Sequence, residues 1–171
     1  MSAATRKIQV LMDWRIPGGN GTLSGLMDER TNRKGARILV VDDFAEWRAI
    51  ARFILKARPE WQVISEACDG LQAVKRASQL RPDVILLDIR MPILNGLEAA
   101  ERIRECCPDS RIIFVTQEND EDIRMAALAT GAAEYLLKEN AMRDLVPAIE
   151  AALCQGAFSH APETQSGEHL S

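Results

Sequence analysis

The chain has 171 residues, of which 47% are hydrophobic and 27% are charged, and its formal net charge at pH 7 is −4. At about 150 residues per domain, this length holds one domain with some additional chain and excludes a large multidomain enzyme, while the composition excludes global disorder. Because acidic residues outnumber basic ones, no basic nucleic-acid-binding surface is indicated, and nucleic acid is not an expected partner.

The two ends of the chain differ from its centre. Residues 1–36 show no sustained hydrophobic period and are expected to form a flexible N-terminal extension, or partly to be upstream sequence, since Met27 is also a possible start. Residues 156–171 are expected to form a disordered C-terminal tail. No apolar run is long enough for a membrane helix or a signal peptide, so we expect a cytoplasmic protein with no membrane partner.

Short apolar runs alternate with stretches of helical period between the two ends. The first pair is a strand at 37–41 and a helix whose apolar residues recur from Trp47 to Leu55. The second pair is a strand at 61–67 and a helix at 71–80, with Asp69 as a possible N-cap.

The third strand, at 83–87, is almost entirely apolar, which suits a strand covered on both faces, and its helix spans 96–107. The fourth strand, at 111–115, precedes a helix that we expect Asn119 to cap and Gly131 to end. The fifth pair is a strand at 133–137 and a helix at 142–154. We expect the regular part of this helix to begin near Asp144, so that Pro147 lies in its first turn.

Five strand–helix repeats predict an α/β fold, with a doubly wound parallel sheet, helices on both faces and right-handed crossovers. A closed eight-stranded barrel needs a longer chain. Open sheets of this type bind ligands beyond the carboxyl ends of their strands. The polar residues that directly follow the strands are therefore the candidates for a functional site.

Cysteine and histidine chemistry is sparse in this sequence. The two histidines, His160 and His169, lie in the C-terminal tail, so a Ser-His-Asp triad and a histidine zinc site lack their residue. The cysteines show neither a CxxC pair nor histidine partners at metal-ligand spacing, and we expect reduced, mostly buried small hydrophobic residues. They are Cys68, Cys106, Cys107 and Cys154.

Carboxylate, hydroxyl and amine side chains follow the predicted strands. They are Asp42, Asp43, Asp88, Thr116 and Lys138. Singly, each is explained as a turn former or a solvated residue. Together, three carboxylates repel one another unless some are protonated or a cation lies among them, and oxygen ligands favour Mg²⁺. A lysine and a hydroxyl beside such an ion supply what a phosphoryl group needs, so the set predicts phosphoryl transfer to a carboxylate.

Sequence motifs around these residues occur in a fixed order. They are ILVVDD at 38–43, DVILLDIRMP at 83–92, Asn-Gly at 95–96, Val-Thr at 115–116 and GAAEYLLK at 131–138. With these motifs, residues 37–155 resemble the response-regulator receiver domains of two-component systems. The resemblance implies a flavodoxin-like (βα)5 sheet with strand order 2-1-3-4-5, which agrees with the repeat count.

The resemblance also implies the phosphoacceptor and the metal ligands. Asp88 would attack phosphorus to give an aspartyl phosphate. Asp43 and Asp88, with the backbone carbonyl of Arg90, would bind Mg²⁺, and Asp42 would act partly through water.

A conformational switch is implied as well. Lys138 would pair with the phosphoryl oxygens, and Thr116 would hydrogen-bond one of them. Tyr135 would then turn inward and change the surface of the fourth helix, fifth strand and fifth helix. The alternative for Tyr135 is a half-buried packing aromatic.

Several positions depart from the pattern of the family. Gln117 stands where a small residue is preferred, and its bulk is expected to narrow access to the site. Glu139 stands where proline is frequent, which argues against the cis peptide common there. Arg90 and Glu118 occupy positions whose side chains influence phosphate lifetime, and we suggest that they pair across the site.

The function that these residues imply is a stand-alone response regulator, a switch rather than a classical enzyme. It would accept phosphate from a histidine kinase or phosphotransfer protein and act on an unknown downstream protein, with a homodimer as an open question. About 16 residues follow the last predicted helix, so DNA binding by this chain is not expected.

Two other functions stay open. One is a phosphorylation-independent interaction module in which Gln117 blocks the site. The other is a small Mg²⁺-dependent phosphohydrolase using Asp88. Haloacid-dehalogenase-like phosphatases place an acid two residues after the nucleophile, and here that residue is Arg90, which cannot act as an acid.

Overall fold

The structure of the chain is a computed structural model that describes residues 35–156. The flexible extension predicted for 1–36 and the tail predicted for 156–171 therefore lie almost wholly outside the described residues. Of the extension, Gly35 and Ala36 are described, and Ala36 is buried. Among the described helices, none combines the length and the apolar composition needed to cross a bilayer.

The sheet confirms the predicted architecture. Its five strands are all parallel, in the order β2-β1-β3-β4-β5, and each predicted strand is present within one residue of its expected ends. The strands are β1 (Arg37–Val41), β2 (Gln62–Ala67), β3 (Val84–Leu87), β4 (Arg111–Thr116) and β5 (Glu134–Leu137). β3 is buried along its whole length, as its apolar sequence predicts.

Helices connect the strands, and a short 3-10 turn at Lys138–Asn140 follows β5. The helices are α1 (Ala45–Leu55), α2 (Gly70–Leu80), α3 (Gly96–Cys106), α4 (Glu121–Ala129) and α5 (Ala141–Gly156). Side chains alternate between the faces of a strand, so the sheet has two separate cores. Leu39 and Val41 pack with α2, α3 and α4 on one face, and Ile38 and Val40 pack with α1 and α5 on the other.

Side chains cap the N-termini of α2, α3 and α4, and one predicted cap is displaced. The Asp69 carboxylate accepts a hydrogen bond from the backbone N–H of Gln72, as predicted. The prediction that Asn119 caps α4 is wrong by one residue, because Asp120 is the N-cap and accepts from the N–H groups of Asp122 and Ile123. A carboxylate complements the positive end of the helix dipole better than a neutral amide does.

The expected position of Pro147 is also wrong. Helix α5 begins at Ala141, and Pro147 therefore lies in its interior and not in its first turn. A proline there removes one backbone hydrogen bond at a cost of about 3 kcal/mol. Leu145 and Ile149 are completely buried on either side of it, and the burial of this apolar face against the sheet offsets that cost.

The cysteines differ from the expectation of mostly buried residues. Only Cys107 is buried, Cys106 is half-buried, and Cys68 and Cys154 are exposed. Cys68 follows the last residue of the edge strand β2, where no further strand covers it, and Cys154 lies on the outer side of α5. None of them forms a disulfide.

The loop between β3 and α3 contains one strained residue. Ile93 has a φ of +70° and is 79% exposed, and the N–H of Leu94 donates to the carbonyl of Pro92 across it. This is a γ-turn with a positive central φ, a conformation that is costly for a β-branched residue. Leu94 is buried and its carbonyl accepts from the N–H of Gly70, so the surrounding contacts hold the turn in place.

We predict that Ile93→Gly stabilises the protein by about 1 kcal/mol. The relief of a left-handed backbone, about 1 to 3 kcal/mol, exceeds the added entropy of the unfolded glycine chain. Ile50→Gly is the control, because Ile50 is also partly exposed but lies in a regular helix, and it should destabilise by about 1 kcal/mol. Urea unfolding followed by circular dichroism measures both changes, and a loss of stability in Ile93→Gly contradicts the prediction.

Candidate functional site

The carboxyl ends of four strands bring the predicted site residues together at one edge of the sheet. Asp42 and Asp43 follow β1, Asp88 follows β3, Thr116 ends β4, and Lys138 follows β5. Carboxylate oxygens of the three aspartates all lie within 4.8 Å of one another. We call these three residues the carboxylate cluster.

Backbone hydrogen bonds extend the strand pairing into the cluster and fix its geometry. The N–H of Asp42 donates to the carbonyl of Ala67 at 3.1 Å, and the N–H of Asp88 donates to the carbonyl of Val41 at 3.0 Å. Arg48 of α1 donates to the carbonyl of Asp42 at 2.7 Å. The cluster is therefore held by the sheet and by the first turn of α1.

Lys138 is the ammonium group that meets the cluster. Its Nζ lies 2.6 Å from Asp42 Oδ2 and 2.8 Å from Asp88 Oδ2, and these three side chains are at most 9% exposed. Burial lowers the pKa of Lys138, but its contacts with the two carboxylates raise it more, so the pKa lies above its usual value and the ammonium stays charged. Burial raises the pKa of Asp42 despite the ion pair.

The carboxylate cluster lacks balancing positive charge and one hydrogen-bond donor. With all three carboxylates ionised, one ammonium against them leaves two excess negative charges. Asp43 Oδ1 is buried and accepts no hydrogen bond from the described residues. A buried acceptor without a donor is costly, and a hard divalent cation satisfies both the charge and the oxygen. The donor set therefore fits Mg²⁺.

Thr116 and Tyr135 are joined through the backbone of Glu118. The hydroxyl of Thr116, which is buried, accepts from the N–H of Glu118 at 3.3 Å. The hydroxyl of Tyr135 donates to the carbonyl of Glu118 at 2.7 Å, and its ring is buried against the core. Burial, followed by the nearby Glu118 carboxylate, raises the pKa of Tyr135. The ring of Tyr135 thus already points inward in this structure.

Arg90 and Glu118 pair across the site, which confirms the pairing suggested from the sequence. An Arg90 guanidinium nitrogen lies 2.8 Å from Glu118 Oε2, and a second contact joins Arg90 Nε to Glu118 Oε1. The pair connects the loop after β3 with the loop after β4. The use of the Arg90 backbone carbonyl as a metal ligand stays a prediction.

A cavity of about 730 Å³ opens beside Thr116 and Lys138. Gln117 forms part of its wall, whereas the three aspartates do not, and the expected narrowing of access to Asp88 stays a prediction. No cis peptide occurs in the described part of the chain, in agreement with Glu139 in place of proline.

Sequence reasoning did not relate one aromatic residue of this cavity, Trp47, to the site. Trp47 lines it, and the centroid of the indole ring lies 5.5 Å from Lys138 Nζ. In the sequence, Trp47 is one apolar position of a helical period, which predicts core packing only. Its place directly after the aspartates on the first turn of α1 is the one signal that relates it to the site.

Known proteins that resemble the chain agree with this geometry. Residues 38–150 match the family model of the response regulator receiver domain. The chain is 34% identical over 140 residues to the transcriptional regulatory protein DegU of Brevibacillus brevis, covering 82% of this chain and 59% of that protein. It is 37% identical to the nitrate/nitrite response regulator NarL of Escherichia coli K12, covering 71% of this chain and 56% of NarL.

A solved structure agrees with the match to the receiver domain. The response regulator domain of Thermotoga maritima CheB superposes with a TM-score of 0.64 at 35% identity, covering 72% of this chain and 96% of that domain. The chain spans little more than half the length of DegU and NarL, so the remainder of those proteins has no counterpart in the matched region.

The backbone of Asp88 is packed against Gly96 at the start of α3. A Cβ on Gly96 would lie 2.0 Å from the carbonyl oxygen of Asp88 and 2.8 Å from Cα of Ile89. We predict that Gly96→Ala destabilises the protein by about 2 to 3 kcal/mol, because backbone cannot move aside as a flexible side chain can.

Gly131→Ala is the control for this prediction. Gly131 has a φ of +81° but open space, with Arg104 Nε 3.6 Å from the added Cβ, so the backbone conformation alone should cost about 1 kcal/mol. Urea unfolding of both variants measures the difference. Equal losses would show that the contact with Asp88 is not the tighter constraint.

Proposed function

We propose that this chain, which belongs to the response regulator receiver family, is a phosphorylation switch whose phosphoacceptor is Asp88. The observation that carries the proposal is the carboxylate cluster, in which Asp42 and Asp88 are buried against a single ammonium and one oxygen of Asp43 is left without a donor. Such an arrangement is costly to fold and serves no structural purpose that a neutral set would not serve better. Members of this family are signalling switches and not classical enzymes.

Mg²⁺ dependence is part of the proposal. Asp42, Asp43 and Asp88, with the backbone carbonyl of Arg90, would hold the ion. Bound Mg²⁺ neutralises charge on the carboxylates and on an incoming phosphoryl group. The oxygen-only donor set and the unpaired Asp43 Oδ1 support this choice of metal.

The side chains around Asp88 divide the work of phosphoryl transfer. An oxygen of the Asp88 carboxylate attacks phosphorus in line, and Lys138 stabilises the charge on the transferred oxygens. The ion pair with Asp42 keeps Lys138 in place when Asp88 becomes an acyl phosphate and loses its own charge. The Thr116 hydroxyl would give up the hydrogen bond that it accepts from the Glu118 N–H. It would then donate a hydrogen bond to a phosphoryl oxygen.

Signal output follows from the same contacts. A movement of Thr116 toward the phosphoryl group would displace the Glu118 backbone, to which the Tyr135 hydroxyl is bonded. Tyr135 lies on β5, between α4 and α5, so its rearrangement would alter the surface formed by these elements. We propose that this surface contacts a downstream protein.

The phosphodonor in this proposal is a histidine kinase or a phosphotransfer protein, in the cytoplasm. Stand-alone action and the boundaries 37–155 of the receiver domain also belong to the proposal, whereas a homodimer stays an open question. The relatives DegU and NarL are about twice as long as the matched region, and DNA binding is not proposed for the described residues.

The two alternatives lack a specific observation in their favour. Gln117 lines the cavity beside Thr116, and this position by itself gives no support to a blocked interaction module. Arg90, at the position where a phosphohydrolase needs its acid, is paired with Glu118. Steady turnover of phosphate esters is the result that would revive the phosphohydrolase.

Labelling by a small phosphodonor tests the proposal. Incubation with acetyl phosphate and Mg²⁺ should add one phosphoryl group, seen by intact-mass spectrometry, and a chelator should prevent it. Asp88→Asn should not be labelled. Asp83→Asn is the matched control, because Asp83 lies at the opposite end of β3, where it accepts from the N–H of Arg37, and it should be labelled as wild type is. Labelling of Asp88→Asn at the same rate would refute the assignment.

Thermal unfolding tests the metal site. Mg²⁺ at about 100 times its Kd should stabilise wild type by about 2.7 kcal/mol, because the ion binds only the folded state. Asp43→Asn should gain much less. Asp122→Asn, which changes an exposed acid of α4, should respond as wild type does. Equal shifts in melting temperature for wild type and Asp43→Asn contradict the site.

A further inference from the structure

We propose that Trp47 is a positioning residue for Lys138, in which the indole face holds the ammonium in place while phosphate is transferred to Asp88. The inference rests on the proposed function and adds to it a residue outside the carboxylate cluster. It concerns the half-buried side chain on the first turn of α1, next to Arg48.

The geometry gives Lys138 an aromatic contact on one side and carboxylates on the other. Its Nζ lies 5.5 Å from the centroid of the Trp47 ring, within the range of a cation–π interaction. The same Nζ contacts Asp42 and Asp88 at 2.6 and 2.8 Å. An ammonium has three N–H donors, so two contacts with carboxylates leave one donor on the side of the ring and the cavity.

Trp47 itself is held firmly. Its ring packs against the core under α1 and α5. The neighbouring Arg48 donates to the carbonyl of Asp42 at 2.7 Å and to the Glu66 carboxylate of β2 at 2.9 Å. Arg48 therefore connects the first turn of α1 to the end of β1 and to β2, and the core contacts of Trp47 place its indole beside Lys138.

Phosphoryl transfer changes what holds Lys138. An Asp88 oxygen forms a bond to phosphorus while the bond from phosphorus to the oxygen of the donor breaks, and acetate leaves acetyl phosphate with that electron pair. No proton or electron has to be supplied. The Asp88 carboxylate then no longer carries its charge, so Lys138 depends on Asp42, the phosphoryl oxygens and Trp47. The contact with Trp47 involves no reacting group, so it holds Lys138 in the same position while its anionic partner changes from the Asp88 carboxylate to the phosphoryl oxygens.

The cavity strengthens this effect. Trp47, Thr116 and Lys138 line the same cavity, so the indole takes up space beside the ammonium that water would otherwise occupy. Lys138 is only 9% exposed. Charge interactions are stronger where water is excluded. Removal of the ring should therefore weaken the interaction of Lys138 with the transferred phosphoryl group without removing any ligand of the metal.

The experiment compares three variants by their first-order rate of labelling with acetyl phosphate. Trp47→Leu keeps an apolar side chain but removes the aromatic face, and it should slow labelling by about three- to thirtyfold. Trp47→Phe restores a ring and should lie within about threefold of wild type. The control is Trp61→Leu, since Trp61 packs on the same core but is absent from the cavity lining, and it should label normally.

Half-saturating Mg²⁺, measured by thermal shift, should be the same in wild type and Trp47→Leu. Labelling of Trp47→Leu at the wild-type rate overturns the inference while the assignment of Asp88 stands. Equal slowing in Trp47→Phe and Trp47→Leu, or a matching loss of Mg²⁺ affinity, also overturns it, because the aromatic face would not be the cause. Absence of labelling in wild type overturns the proposed function, and this inference with it.

A second measurement applies if Trp47→Leu does not fold. In a protein carrying Trp14→Phe and Trp61→Phe, the emission comes from Trp47 alone. Replacing Lys138 by Met should change that emission, because the ammonium lies over the ring. An unchanged spectrum overturns the contact on which the inference rests.

Discussion

Repulsion among three carboxylates that are fixed within a few ångströms of one another is the constraint on which the rest of this structure depends. The sheet imposes it, since Asp42 and Asp88 are held by backbone bonds that continue the strand pairing. Lys138 relieves part of the repulsion, and what remains is a site that gains stability from any added positive charge. The proposed cation binding and phosphoryl capture would both draw on this excess negative charge.

Much of the fold and of the site can be predicted from the sequence because two patterns are strong, the short apolar runs and the helical period between them. Apolar runs mark the five strands, and parallel topology then places the residues after them at one edge. That rule alone brings together four site residues, which are Asp42, Asp43, Asp88 and Lys138. The receiver family's matched model and the sheet order agree with it.

What the sequence does not predict depends on contacts between elements. Pro147 is tolerated inside α5 because Leu145 and Ile149 are buried around it, which local helix preference does not include. Asp120 replaces Asn119 as a cap because two backbone N–H groups face its carboxylate. Trp47 is indistinguishable from a core residue until β5 places Lys138 beside its ring.

Glu118 connects the loop beside Asp88 with strand β5. Its N–H donates to the Thr116 hydroxyl, and its carbonyl accepts from the Tyr135 hydroxyl. Its carboxylate pairs with Arg90, which lies two residues beyond Asp88. The loop after β4 is thus connected both to the loop after β3 and to β5. A loop held at both ends does not move gradually, because shifting it breaks several contacts together. Coupling of this kind is what a two-state transition in the proposed switch would use.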